Sequence, residues 1–348
     1  MELSAILNKA SETSNLSREE IVRLLALEDD AETKSLFRVA DAVRRESVGD
    51  DVHIRGLIEF SNYCARNCSY CGLHRDNHKI HRYRMGIDEI VEVASNVVRK
   101  GIGTIVLQSG EDPWFTADRV AEIVRGIKSN EDCAITLSIG ERSFDDYKIM
   151  KEAGADRYLL RHEAANPELY GRLHPGMTLD TRIRCLHDLR ALGYQVGAGC
   201  MVGLPGQTLD DLATDIIFVR DIGADMVGIG PFIPHPDTPL HEFSGGTLDM
   251  TLKMVALARI VTRDAHLPAT TAVGSIDEFG REKALMCGAN VVMPNYTPLK
   301  YRIDYEIYPN KRCISEDPAE CHGCMKARIA AIHRTVGVGP GHSLKMTK

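Results

Sequence analysis

The sequence predicts an α/β fold, a (β/α)8 barrel of the TIM type with an N-terminal helical cover and a C-terminal extension. From Val52 onward, short β-branched runs alternate with longer amphipathic stretches at an interval of about 30 residues, the pattern of repeated βα units. Eight such runs can be counted, which favours a closed barrel over an open doubly wound sheet. Cysteines, acids and arginines cluster just after the strand runs, at the end of a parallel barrel where active sites sit.

Residues 1–50 read as helices with no intervening strand. Ser17-Arg-Glu-Glu20 is a capping box leading into an apolar run from Ile21 to Leu27, and Ala31 to Arg45 has helical apolar spacing. The barrel is expected over residues 51–293. Its strands are predicted at Val52 to Phe60, Thr104 to Gln108, Ala134 to Ile139, Arg157 to Arg161, Gln195 to Met201, Met226 to Gly230, Ala269 to Ala272 and Asn290 to Met293. Helices are predicted between them at Asp88 to Lys100, Asp118 to Ile127, Phe144 to Ala153, Asp180 to Leu192, Leu209 to Ile222, Leu248 to Thr262 and Gly280 to Cys287. Gly101, Gly154, Gly193, Gly223 and Gly288 serve as helix stops. Residues 294–348 form an extension, rich in tyrosine at first, that is expected to fold over one mouth of the barrel.

A chain of 348 residues with 44% apolar composition can bury a large core. The net charge of −7 and the lack of a basic block argue against nucleic acid as a partner. No run of about 18 apolar residues argues for a membrane span, and the N-terminus lacks a long apolar leader segment, so a cytoplasmic protein is expected. Ten cysteines in such a chain point to metal or redox chemistry rather than disulfides; Cys133, Cys185, Cys200 and Cys287, isolated in apolar or glycine-rich stretches, are expected in the core.

Cys64, Cys68 and Cys71 are different. Their C-x3-C-x2-C spacing on one short loop suits three irons of a four-iron cluster and leaves the fourth iron without a protein ligand, open to a small molecule. Ferredoxin spacings bring a fourth cysteine, which is absent here. A zinc site is the competing reading, because His74, His78 or His81 stands close enough in sequence to complete a four-ligand set.

The cysteine loop with Tyr70 before its last cysteine, the eight βα units and the glycine-acid turn after the second strand together resemble the radical S-adenosylmethionine (SAM) enzymes over residues 50–295. The resemblance implies a 4Fe–4S cluster whose open iron is chelated by the amino and carboxylate groups of SAM, and reductive cleavage of SAM to a 5′-deoxyadenosyl radical. It implies that Gln108-Ser-Gly-Glu111 approaches the cofactor's amino group, with Ser109 where the family usually has glycine, Gly110 giving a close approach and Glu111 accepting.

Six phrases are more specific still: Leu107-Gln-Ser-Gly-Glu-Asp-Pro113, Arg157-Tyr-Leu-Leu-Arg-His-Glu163, Met201-Val-Gly-Leu-Pro-Gly-Gln-Thr208, the stretch from Gly228 to Leu240, Pro268-Ala-Thr-Thr-Ala272 and Gly288-Ala-Asn-Val-Val-Met-Pro-Asn295. They resemble the branch of the family that matures FeFe-hydrogenases. By that resemblance Glu163 would bond the cofactor ribose, Arg182 would pair with its carboxylate through a planar donor fork, and Met201 would lie along the adenine. Arg161, Met226, Thr270, Thr271, Tyr305 and Tyr308 would line the substrate end of the cavity, with a salt bridge between Arg161 and Glu163, two apart on a strand, as the lesser alternative.

The implied substrate is an organometallic small molecule, a cysteine-bound Fe(CO)2(CN) precursor, and the implied partners are a low-potential flavodoxin or ferredoxin and the other hydrogenase maturases. The trio Cys313, Cys321 and Cys324 resembles the site of an accessory cluster in some members, expected as 2Fe–2S, with zinc or an empty site as alternatives. A methylornithine synthase-like lysine mutase is the nearest competing enzyme, and a non-catalytic iron–sulfur carrier the competitor from another class. Biotin synthase fits less well, since the second strand run, Thr104 to Gln108, has no cysteine for a second barrel cluster.

Overall fold

The computed structural model describes residues 2–312 and 318–347. Its strands pair in chain order, as a repeated βα unit requires. The first predicted run is split at Arg55 into β1 (Asp51–Ile54) and β2 (Gly56–Ser61). A six-stranded parallel sheet follows in the order β2, β3 (Thr104–Ser109), β4 (Ala134–Ser138), β5 (Arg157–Leu159), β6 (Gln195–Ala198) and β8 (Met226–Val227). Between the last two in sequence, β7 (Met201–Val202) pairs with β9 (Gly230–Pro231) and extends the β6–β8 pair past its C-terminal end.

Beyond β8 the ladder thins to isolated bridges, Met226 with His266 and Pro268 with Val291, before β10 (Val291–Val292) pairs with β1. The ring therefore runs from the first strand to the last through one thin joint. That joint corrects the predicted seventh strand. Pro268 has no amide to give a ladder, Ala269 N makes the last rung to Val291 O at 2.8 Å, and Thr270 then caps a helix, Thr271–Ile276. The β-branched threonine pair suggests a strand; the ladder ends at Ala269, one residue before it.

The predicted helices form with small shifts at their ends, and Leu248–Thr262 forms over its predicted span. Capping boxes start three of the molecule's helices, at Ser17, Ser143 and Thr208. Every residue of the 248–262 helix from Thr251 onward is buried, the condition of a helix covered on all sides. It lies between the barrel and the N-terminal helices Leu3–Glu12, Arg18–Leu25 and Asp30–Val48, the second of which also rests against helix Leu209–Asp221. Arg18 donates to Thr214 Oγ1 at 2.6 Å and Arg220 to Leu16 O at 3.1 Å across that contact.

The extension reaches both mouths of the barrel, not one. Near the strand C-termini, Gly72 N donates to Ile307 O at 3.1 Å and Lys311 pairs with the buried Glu59. At the strand N-termini, β11 (Thr335–Val336) pairs with β1, and Pro340 O accepts from Thr104 Oγ1 at 2.7 Å and Arg157 Nη2 at 2.8 Å. Ser343 Oγ donates to Asp225 Oδ1 at 2.6 Å. Polar strand starts at the base of the barrel demand partners, and the tail supplies them. Among the described residues no helix is long and apolar enough to cross a membrane.

Candidate active site

The loop after β2 carries Cys64, Cys68 and Cys71, all half-buried. It is held by its ends and from above. Ser61 Oγ donates to Asp112 Oδ2 at 2.6 Å; Asn62 Nδ2 donates to His81 O and Asp304 O, each at 2.7 Å. Arg82 gathers the loop by donating to Leu73 O at 3.0 Å and His74 O at 2.8 Å. The turn after β3 lies flat against it: a Cβ on Gly110 would come 2.3 Å from Tyr63 O and 2.9 Å from Cys64 Cβ, which explains why this position has no side chain.

Burial pushes all three thiols up, Cys71 to about 12, and charge on neighbouring sulfurs raises Cys68 and Cys71 further. Three thiolates gathered this way need strong cationic compensation, which an iron–sulfur cluster provides. The histidines invoked for zinc are turned elsewhere: His74 Nδ1 bonds Cys71 O at 2.8 Å, and His81 Nδ1 bonds Asp304 Oδ2 at 3.0 Å, while His78 is exposed. The donor set fits a three-cysteine cluster.

Beside the loop stand three carboxylates and three guanidinium groups. Glu111, after β3, pairs with Arg66 of the cysteine loop and accepts from Glu141 N at 2.9 Å. Arg182, near the start of helix Leu179–Ala191, donates through Nε to Glu141 at 2.8 Å and through Nη1 to Arg161 O. Arg161 pairs with Glu163 at 3.1 Å, the pairing foreseen as the alternative to ligand binding. Glu163 nevertheless keeps a free valence. It is buried, its backbone takes the left-handed conformation at φ 65°, and its Oε2 has no hydrogen-bond partner.

The backbone that sets Glu163 in place is pinned from outside the barrel. Asp215, on helix Leu209–Asp221, accepts from Ala165 N at 2.6 Å and from His162 Nε2 at 3.2 Å, while His162 Nδ1 accepts from Gly199 N at 3.4 Å. His162, Cys200 and Asp215 are the one group of three among the described residues close enough to share a metal ion. Because Nδ1 faces an N–H donor, Nε2 carries the proton, and the pair reads as a hydrogen bond rather than a metal site.

Tyr70 is fixed with equal definition. His174 Nδ1 faces Tyr170 O at 3.0 Å and must donate, so Nε2 accepts from the Tyr70 hydroxyl at 3.0 Å. Burial, with the Arg182 charge adding, pushes His174 down to about 3 and keeps it neutral. Tyr70 also packs with Met201 on a small apolar cluster that includes Leu169, Leu173 and Phe232. On the other side of the cysteine loop, Gln108 Nε2 donates to the Tyr305 hydroxyl at 3.3 Å, and Ser109 Oγ bonds Gly110 O at 2.7 Å.

The residues expected around a substrate are only partly gathered. Thr270 donates to Ile229 O at 3.2 Å and stands over Gly230, whose missing Cβ would be 3.1 Å from its Oγ1. The Tyr308 hydroxyl is pushed up by burial and by the Glu59 charge. Thr271 is in the first turn of its helix rather than on a strand. Met226 points elsewhere, with its sulfur 3.0 Å from Arg55 Nη1, in a small cavity shared with Thr136, Arg157 and His266 towards the base. Cys133, Cys185, Cys200 and Cys287 are buried as expected. Cys313 lies outside the described residues, as does the side chain of Cys321; Cys324 is exposed on helix Pro318–Ala331.

Sequence reasoning missed Arg66, Glu141, Tyr170 and His174. Glu141 had a signal, since it follows a strand as Glu111 and Glu163 do. Tyr170 and His174 sit on or next to a short helix, Pro167–Leu173, that interrupts the βα pattern and offered none.

Comparison with known proteins gives the family and the fold. Residues 58–219 match the Radical SAM superfamily. The FeFe-hydrogenase maturase subunit HydE of Thermotoga maritima is 52% identical over 326 residues, 94% of this chain and 93% of that protein. The 3-methylornithine synthase of Methanosarcina acetivorans is 29% identical over 303 residues, 86% of this chain and 85% of that one. The crystal structure of methylornithine synthase, PylB, shares the fold with a TM-score of 0.83 at 24% identity, covering 95% of this chain and 97% of that chain. With three thiols on one loop at the strand C-termini and a match over 94% of the chain at an identity far above that to the mutase, the chain is a radical SAM enzyme and belongs to the family of the FeFe-hydrogenase maturase HydE.

Proposed function

We propose that this enzyme acts in assembly of the FeFe-hydrogenase H-cluster, on a cysteine-bound Fe(CO)2(CN) precursor. Family membership implies a 4Fe–4S cluster and SAM, which when bound together supply a 5′-deoxyadenosyl radical on reduction. Cys64, Cys68 and Cys71 would hold the cluster. Glu111 would take the cofactor's ammonium and Arg182 its carboxylate, charges of the right sign on opposite sides of the Glu141 junction. Ser109 and Gly110 would bring backbone close to it, and Met201 with Tyr70 would give the apolar side. The observation that carries the reading is the buried, unpartnered Oε2 of Glu163, an acceptor that a ribose hydroxyl would satisfy.

Arg161, Thr270, Thr271, Tyr305 and Tyr308 would contact the substrate, with Met226 below them, and the buried setting excludes water from a reactive carbon radical. Cys313, Cys321 and Cys324 would carry an accessory 2Fe–2S cluster outside that chemistry. A cytoplasmic flavodoxin or ferredoxin would deliver the electron, and the other maturases would supply the substrate and receive the product.

Anaerobic reconstitution, reduction and assay for 5′-deoxyadenosine test the first step. Wild type should cleave SAM, and Glu163→Gln should raise the KM for SAM about tenfold by weakening one buried bond. Failure of the wild type to release 5′-deoxyadenosine overturns the proposal.

A further inference from the structure

Glu141 belongs to no part of the function assigned above, yet it touches both ends of the cofactor site. It stands one residue beyond the Gly140 turn after β4, with its side chain 6% exposed. Its Oε1 accepts from Arg182 Nε at 2.8 Å and from the Tyr170 hydroxyl at 3.4 Å; its Oε2 lies 3.7 Å from Arg66 Nη2; its backbone N–H donates to Glu111 Oε1 at 2.9 Å. Gly140 makes this contact achievable. At φ 79° it turns the chain, and a Cβ there would fall 1.9 Å from Glu111 Cγ.

We propose that Glu141 is a positioning residue for SAM: it orients the Arg182 fork that takes the cofactor's carboxylate and receives Arg66 when the cofactor's ammonium displaces it from Glu111. This rests on the reading of Arg182 and Glu111 as cofactor-binding residues. Two edges of Arg182 are spent, Nε on Glu141 and Nη1 on Arg161 O, and Nη2 makes no hydrogen bond among the described residues. The guanidinium is thus oriented before any ligand arrives, with one edge still open. Glu111 is in the opposite condition. It is occupied by Arg66, so a ligand ammonium has to replace a cation already there.

Replacement without a second acceptor would leave Arg66, about a third exposed, with no protein carboxylate beside the half-buried thiols. Glu141 Oε2 supplies that acceptor within a short side-chain swing. Counted together, Glu111, Glu141 and Glu163 face Arg66, Arg161 and Arg182, three charges of each sign. A ligand whose amino and carboxylate groups cancel can enter such a set by exchange of partners, leaving the net charge of these groups unaltered. A carboxylate that merely stabilised the turn would have no such effect on ligand binding.

The test uses the anaerobically reconstituted enzyme. SAM is titrated against the reduced cluster by electron paramagnetic resonance, and kcat and KM for 5′-deoxyadenosine release are measured in Glu141→Gln, Glu141→Ala, Arg182→Lys and the Gln/Lys double variant. Glu141→Gln should raise the SAM dissociation constant and KM about tenfold, and Glu141→Ala about a hundredfold, with kcat at saturating SAM within about threefold of wild type. The double variant should be little worse than Arg182→Lys alone, since the two act as a unit. If Arg182→Lys weakens SAM while Glu141→Gln, with iron content unchanged, binds it as wild type does, the proposal is overturned. If Arg182→Lys itself leaves SAM binding intact, the assignment of the cofactor site fails first. Should Glu141→Ala not retain its cluster, Glu141→Gln, which keeps the shape and removes the charge, decides alone.

Discussion

At the scale of single residues, the site is controlled by protons and missing side chains. His174 is neutral and accepts from Tyr70, with burial holding it near 3 against an ordinary value of 6.5. His53, pushed down to about 4, and His266 shift the same way, burial being the main cause. A histidine depressed in the folded state takes its proton on unfolding, so stability is full above the ordinary imidazole value and declines as pH falls through 6.5 towards the depressed values. Unfolding free energies from urea titrations should therefore drop between pH 7 and pH 5, by up to about 1.4 kcal/mol per pH unit for a fully buried histidine. His174→Gln should show a shallower slope. At Gly140 a methyl group has no room, so Gly140→Ala should displace Glu111 and weaken SAM by more than about tenfold while iron content is kept, as read by the same cluster titration.

At the scale of elements, short segments outside the ladder set the chemistry. The helix Pro167–Leu173 presents Tyr170 and leads directly to His174, and the cysteine loop rests on its end through Ser69 N to Leu173 O at 2.8 Å. The stretch from Arg161 to Ala165 bends away from β5, and helix Leu209–Asp221 holds it through the hydrogen bonds of Asp215 and the packing of Phe218 on the His162 ring. Removing that carboxylate leaves a buried amide and an imidazole N–H without an acceptor. Asp215→Ala is expected to cost about 2–4 kcal/mol in chemical denaturation and to weaken SAM through Glu163, because each orphaned buried donor is expensive.

For the whole molecule, the barrel is closed differently at its two ends. The mouth at the strand C-termini holds the cysteine loop and the first part of the extension; the base is filled by residues from Gly337 to Lys345. Arg157, buried at the base and pushed down to about 10 by that burial, spends one edge of its guanidinium on Pro340 O and Gly341 O. Deleting residues 338–348 should lower stability by about 3–5 kcal/mol, since a buried cation loses its acceptors. Cluster loading should survive, because the cysteines stand at the other end. Loss of the cluster in a truncated protein that still folds would show that the two mouths are coupled.

How much of this was legible from the chain follows from the range of the forces involved. Strand and helix order, the capping boxes and the C-x3-C-x2-C loop are local patterns, written in spacing and propensity, and phrases such as Arg157 to Glu163 carried the family. The position of Thr270 and Thr271 was misread because propensity cannot see that the ladder ends at Ala269, and the reach of the tail to both mouths depends on strand starts that need acceptors from far along the chain. Glu141, Arg66, Tyr170 and His174 meet Glu111, Arg182 and Tyr70 only when the barrel brings the ends of separate strands together. Sequence alone determined the repeat, the three-cysteine loop and the class of chemistry; the folded barrel decided which charges face one another, because ion pairing and burial act between residues distant in the chain.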